Sequence, residues 1–164
     1  MPVASPLLRR AFFAAAGIIA VSGSARSQQT DTQAAMQIEK IMDAYATALR
    51  SNDVEGLVAL YAAKGVFIRD DMAAVVGRDA LGAAYKQVFA TLKVDLSFKI
   101  QEIESSGDMA WLRSTSAGRI KVLASGVETN DAFNQLIVFR REDGAWKIRS
   151  YLYASSQAGS ETPK

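Results

Sequence analysis

Asn134 to Tyr153, NQLIVFRREDGAWKIRSYLY, is the stretch that decides the fold. Two runs rich in branched and aromatic residues flank Glu142-Asp143-Gly144, and Asp-Gly is the pair a tight hairpin favours, because both central positions of its turn take a positive φ. The chain therefore ends in two strands, Glu128 to Arg140 and Ala145 to Ala154. Moving back toward the N-terminus, Ala124-Ser125-Gly126 and Ser105-Ser106-Gly107-Asp108 mark two more turns, which bracket a strand from Met109 to about Val122. Before them, Val94, Leu96, Phe98, Ile100 and Ile103 alternate with one slip, the mark of a bulge. The C-terminal half is thus a four-strand antiparallel meander.

The residues upstream change period. Ala35, Ile38, Ile41, Met42, Tyr45, Ala48 and Leu49 recur at steps of three and four, which predicts an amphipathic helix from Asp31 to Ser51 with Thr30 or Asp31 as its N-cap. Asn52-Asp53 breaks it, and Asp53 caps a second short helix ending near Tyr61. Gly65 to Arg69 and Ala74 to Val76 read as short strands around the turn Asp70-Asp71, and Asp79 to Ala90 as a third helix with Leu81, Tyr85, Val88 and Phe89 on one face. Helices first and strands last indicate an α+β fold, with the helices packed on one face of a curved, mostly antiparallel sheet. A long helix over a curved sheet leaves a cavity between the two layers, open at one end.

With 164 residues, 49% hydrophobic and 22% charged, the chain fits one domain with a real core. It has no cysteine and no histidine, which excludes disulfides, thiolate metal sites, cysteine nucleophiles and histidine-based triads. The first 27 residues stand apart. Arg9-Arg10 precedes the apolar run Ala11 to Val21, and Ser22 to Ser27 supplies small residues, with Ala25 and Ser27 placed for cleavage before Gln28. That pattern predicts a signal peptide at 1–27, a working domain at 28–156 and a flexible tail at 157–164. The expected destination is periplasmic or secreted, by the general or the twin-arginine route, with no stable membrane anchor after cleavage. Losing the three arginines of the first 27 residues turns a net charge of +2 into −1, which argues against nucleic acid as a partner.

Three segments in order carry a family likeness: Ile38 to Tyr61 (IEKIMDAYATALRSNDVEGLVALY), Tyr61 to Ala83 (YAAKGVFIRDDMAAVVGRDALGA), and Asn134 to Tyr153. Together they resemble the nuclear-transport-factor-2-like superfamily of SnoaL-like and ketosteroid-isomerase-type domains, the last segment especially its SgcJ/EcaC-like branch. The resemblance implies a cone-shaped fold and a small-molecule ligand. Tyr45 matches the helix tyrosine that, in ketosteroid isomerases, donates a hydrogen bond to a developing oxyanion; its alternative is a core tyrosine with a satisfied hydroxyl. The resemblance fails at the general base, whose position holds Arg69 or Ile68, and at the protonated aspartate, whose position falls near Gln135. Allylic isomerase activity is therefore not expected.

The remaining site candidates come from the strands. Tyr61, Phe67, Trp111, Arg113, Asn134 and Gln135 join Tyr45 and Arg69 as ligand-binding candidates, although alternation allows only one of Asn134 and Gln135 to face inward. Trp146, Tyr151 and Tyr153 either line the pocket or cover the outer face. Arg69 at a pocket mouth offers two N–H donors to a carboxylate or phosphate. The Asp70-Asp71 pair reads as a solvated turn rather than a cation site. No metal and no cofactor are expected. Three functions stay open: an exported small-molecule-binding domain, a lyase, isomerase or cyclase using Tyr45, and a non-catalytic interaction module. A homodimer through the outer face of the meander is expected from the alternation of Phe98/Ile100 and Phe133/Ile137/Phe139, taken to make both faces partly apolar.

Overall fold

The structure is a computed structural model that describes residues 23–70 and 72–156, with side chains from residue 31 onward. The apolar run of the expected signal peptide, Asp71 and the tail 157–164 lie outside the described residues. The element order is α1 (Gly23–Ser51), α2 (Val54–Leu60), β1 (Tyr61–Arg69), β2 (Val75–Val76), α3 (Arg78–Thr91), β3 (Leu92–Ser106), β4 (Met109–Val122), β5 (Glu128–Glu142) and β6 (Ala145–Ser155). The six strands form one sheet in the order β2-β1-β6-β5-β4-β3. Every pairing is antiparallel except β1 with β6.

Helix α1 begins earlier than its apolar pattern predicts. Thr30 and Asp31 lie inside it and not at its start, and no proline or internal glycine interrupts residues 24 to 51. Its end follows the expected break. Asn52 takes a positive φ of 58°, and the Asp53 amide returns to the Ala48 carbonyl at 2.9 Å, which closes the last turn. Asp53 then caps α2 by accepting from the Gly56 amide at 2.8 Å. At the far end, Asp143 and Gly144 have φ of 50° and 79°, the left-handed pair a two-residue hairpin needs.

Ile38, Met42 and Tyr45 of α1, with Leu81 and Tyr85 of α3, bury against Leu112, Ile137, Phe139, Ile148 and Tyr151 of the sheet. Each fully buried aliphatic chain contributes roughly 1.5–3 kcal/mol before the entropy of ordering is subtracted. Register extends this into rows. Ile103, Leu112, Ile137, Tyr151 and Phe67 lie side by side on the concave face, and Ile100, Ser114, Gln135, Tyr153 and Arg69 form the next row outward. Register shifts between Tyr61 and Val66, Ile100 and Glu102, and Val138 and Phe139 let the sheet curl around the helices. The second is the slip visible in the sequence.

The same rows correct the basis of the dimer expectation. Phe98, Ile100, Phe133, Ile137 and Phe139 all belong to the concave, helix-covered side. They share one phase, so they load one face and not both. The convex face is apolar through other residues, with Leu136 and Leu152 exposed there.

Candidate functional site

A cavity of about 100 Å³ opens between α1, α3 and the concave face. Tyr45 and Leu49 of α1 and Tyr85 and Val88 of α3 form one wall, and Val94, Leu96 and Phe98 of β3 another. Phe67 and Arg69 of β1, Phe133 of β5, and Tyr151 and Tyr153 of β6 complete it. Aromatic rings set its shape. Tyr45 stacks on Tyr151 with centroids 5.1 Å apart and meets Phe98 edge-on at 5.9 Å, while Phe67 packs on Tyr85 at 5.5 Å.

The polar chemistry of the wall is a chain of phenols. The Tyr85 hydroxyl lies 2.9 Å from that of Tyr45 and 2.8 Å from that of Tyr61. Each hydroxyl carries one proton, so these two bonds use two of the three protons and leave one to be donated outside the trio. Tyr61 is completely buried and does not reach the cavity, whereas Tyr45 and Tyr85 both line it. A buried donor without an acceptor is costly, so the arrangement that satisfies Tyr61 has it donating to Tyr85. The third proton then belongs to Tyr45 or Tyr85, and the Tyr151 hydroxyl, which also hydrogen-bonds Tyr45, extends the chain. Burial pushes the Tyr45 phenol up to about 12, and it drives Tyr61, Tyr85 and Tyr151 well above the ordinary tyrosine range as well. All four are neutral hydrogen-bonding groups at physiological pH.

The sequence candidates divide sharply by strand phase. Tyr45, Phe67 and Arg69 line the cavity. Tyr61 stands one hydroxyl behind it, so its expected place on the pocket wall is corrected to that of a buried neighbour bonded to Tyr85. Gln135 does face inward and is buried, but it is held between two serines. Ser114 Oγ donates to its Oε1 at 2.9 Å, and its Nε2 donates to Ser116 Oγ at 2.7 Å. Trp111, Arg113 and Asn134 alternate to the convex side and are corrected as pocket residues. Trp111 forms a shallow surface groove with Met109, Leu136 and Val138. Arg113 is exposed and bonds Gln101 and Glu102, and Asn134 is exposed. Trp146 packs in the core beneath the Arg141 guanidinium, 4.5 Å from its ring centroid. Asp70 uses its carboxylate to accept the Ser155 amide at 3.1 Å and is not part of the lining.

Among the described residues of the lining there is one charged group, Arg69, and no carboxylate. The hub role of Tyr85 and the serine clamp on Gln135 escaped the sequence reading. The available signal was faint: Tyr45, Tyr61 and Tyr85 lie on three elements whose apolar faces all point into one layer.

Residues 38–156 match the family model of the SnoaL-like domain. A ketosteroid isomerase-like protein from Erwinia carotovora atroseptica is similar over 75% of this chain and 96% of its own, with 31% identity and a TM-score of 0.71. A conserved protein from Planctomyces limnophilus aligns over 76% of this chain and 97% of its own, at 20% identity and a TM-score of 0.70. An NTF2-like protein with a cystatin-like fold from Novosphingobium aromaticivorans covers 88% of this chain and 95% of its own, at 18% identity and a TM-score of 0.65. No curated protein matches at a significant level.

Proposed function

The chain belongs to the SnoaL-like domain family, and on that premise we propose that it is an exported small-molecule-binding domain whose ligand site is the cavity between α1, α3 and the concave sheet. One observation carries the reading: the hydrogen-bonded Tyr45–Tyr85–Tyr61 hydroxyl chain reaches the wall of a cavity lined mostly by aromatic and aliphatic side chains. A phenol donor in an aromatic cavity selects a ligand with an apolar body and one carbonyl or hydroxyl acceptor. The size narrows it further. An engineered cavity of about 150 Å³ holds benzene, so about 100 Å³ with an open side suits one ring or a short branched chain and not a fused four-ring steroid.

Binding is favoured over catalysis by what the wall lacks. Proton abstraction beside a carbonyl needs a positioned base, and the described lining holds neither a carboxylate nor an imidazole. Tyr45 remains the group that would polarise a carbonyl in a lyase, isomerase or cyclase, but alone it supplies only the acid half of such a step. Export is supported by the Arg9-Arg10, apolar-run and Ala25-x-Ser27 pattern. Self-association is supported by the exposed Leu136 and Leu152 beside Trp111 and Val138 on the convex face.

Acetophenone, one ring with one carbonyl, is the probe. Ligand-observed NMR is expected to show saturable binding to the wild type, weaker binding to Tyr45→Phe, and none to Val88→Trp, whose indole fills the space. Equal signals from wild type and Val88→Trp would overturn the cavity assignment. Native mass spectrometry of protein recovered from the periplasm reads the other parts, with a chain starting at Gln28 and a doubled mass expected.

A further inference from the structure

We propose that the tip of the β4–β5 hairpin, Val122 to Val127, docks on an anionic phospholipid surface, with Leu123 and Val127 entering the acyl region and the lysines at its base meeting lipid phosphates. This role adds a second binding surface to the protein and does not depend on which ligand the cavity takes.

Val122-Leu123-Ala124-Ser125-Gly126-Val127 carries no charge. Every residue of the stretch is exposed, and three of the nine large apolar side chains exposed among the described residues, Val122, Leu123 and Val127, fall within it. Water gives no reason to gather such groups at a turn, where Gly, Asn, Asp and Ser are the usual residues. The tip is also pre-formed. The Val122 amide donates to the Val127 carbonyl at 2.9 Å, the Gly126 amide to the Val122 carbonyl at 2.8 Å, and the Leu123 amide to the Thr91 carbonyl at 2.9 Å. The Val127 amide donates to Ser125 Oγ at 3.3 Å. Amides satisfied in this way cost less to bring into an apolar layer, where an unpaired one is expensive.

The base of the hairpin supplies the charge. Lys93, Asp95, Arg119, Lys121 and Glu128 cluster there. Arg119 Nη2 lies 3.7 Å from Asp95 Oδ2, and Lys121 Nζ lies 3.4 Å from Glu128 Oε1, while Lys93 has no ion pair among the described residues. Lys93 stands in register opposite Lys121, a like-charge pair that costs the isolated fold and gains when a phosphate sits between the two ammonium groups. Both ion pairs are about half exposed, so they are weak and their cations can turn to an anion at little cost. An apolar tip beside an excess of positive charge suits a negatively charged bilayer, where the two attractions act together. A protein partner fits less well. A stable interface buries roughly 800 Å² on each side, and three side chains on a two-strand tip offer far less. Leu92, Val94 and Ile120, from the same strand ends, line the cavity, so docking sets that wall of the cavity next to lipid.

The test is co-sedimentation of protein recovered from the periplasm with two kinds of vesicle, phosphatidylcholine alone and phosphatidylcholine with phosphatidylglycerol in equal parts. The wild type is expected to bind the mixed vesicles more tightly, with an advantage that shrinks as salt is raised. Replacing both apolar groups, Leu123→Ser with Val127→Ser, should weaken binding to mixed vesicles about tenfold or more through lost apolar burial. Lys93→Gln should weaken it about fivefold and leave binding to phosphatidylcholine alone unchanged. In Leu123→Trp, lipids with brominated acyl chains should quench the new indole. Wild-type protein that ignores the mixed vesicles or binds both kinds equally, or binding that survives the double variant, would overturn the proposal. So would a soluble protein held by the tip while the vesicles are ignored. All the substituted positions are exposed, and urea midpoints of the variants close to that of the wild type would confirm that binding, and not folding, was being read.

Discussion

The two faces of the sheet, made from alternate residues of the same strands, have opposite characters. On β5, Gln135, Ile137 and Phe139 point under the helices and are buried, while Asn134, Leu136 and Arg140 point outward and are exposed. On β4, Leu112, Ser114 and Ser116 face in, and Trp111, Arg113 and Thr115 face out. The concave side places polar groups one at a time, each tied to a neighbour. The convex side carries charged pairs at its edge, such as Arg113 with Glu102, and an apolar strip at its centre. A candidate residue's role therefore depends first on its strand phase and only then on its chemistry.

The largest expected contrast tests that phase within two adjacent residues. Ile137 is 0% exposed and Leu136 is 45% exposed. Ile137→Ala is expected to lower unfolding stability by about 2–5 kcal/mol through lost burial and a residual cavity. Leu136→Ala should stay within about 0.5 kcal/mol in the monomer. Urea unfolding of both variants, monitored by tryptophan fluorescence, decides it. Similar losses in the two would mean that the outer face is covered in solution.

How much of this was legible follows from the same contrast. The meander, the bulge between Ile100 and Glu102, the Asp53 cap and the break after Ser51 were readable, because turns and caps depend on a few residues with special backbone or side-chain needs. The phase of Arg113 and Trp111 was not, since β4 alternates Trp, Arg and Thr with Leu, Ser and Ser, and both sets mix polar with apolar. Burial chose the face through Leu112 and its neighbours in register. The Ser114–Gln135–Ser116 cluster makes the same point in reverse. Three polar residues are buried there because they satisfy one another across strands, a pairing that no single strand displays.

The second contrast lies in the phenols themselves. An unfolded chain ionises its tyrosines near pH 10, whereas burial holds the Tyr45 proton to about 12. Between those values the unfolded state binds fewer protons than the folded one, so stability falls as pH rises. Below about pH 10 the contribution is fully present, and through Tyr45 alone its loss is on the order of 3 kcal/mol. Tyr61, Tyr85 and Tyr151 act in the same direction. Urea midpoints at about pH 9 and about pH 11.5 should differ accordingly, with the tyrosinate absorbance of these four residues rising only as the protein unfolds. Ionisation of Tyr45, Tyr61 and Tyr85 near pH 10 in the folded protein would show that the trio is wet.

The smallest expected effect belongs to an arginine on the wrong face for the cavity. Arg113 and Arg69 both stand on strands with intermediate or exposed side chains, and residue type alone makes them equal candidates for holding an anion. Arg113 Nη2 lies 3.3 Å from Glu102 Oε2, with both side chains about half exposed, so water screens the pair and its worth is small. Arg113→Ala should therefore change unfolding stability by no more than about 0.5 kcal/mol, an effect that shrinks further in salt. It should leave the affinity for acetophenone unchanged, because the sheet itself separates the convex side chain from the cavity. The paired measurement is titration of Arg113→Ala and Tyr45→Phe with acetophenone under the same salt. Weakened binding in the Arg113 variant, with Tyr45→Phe indifferent, would move the ligand site to the convex face and reverse the assignment of the two sides.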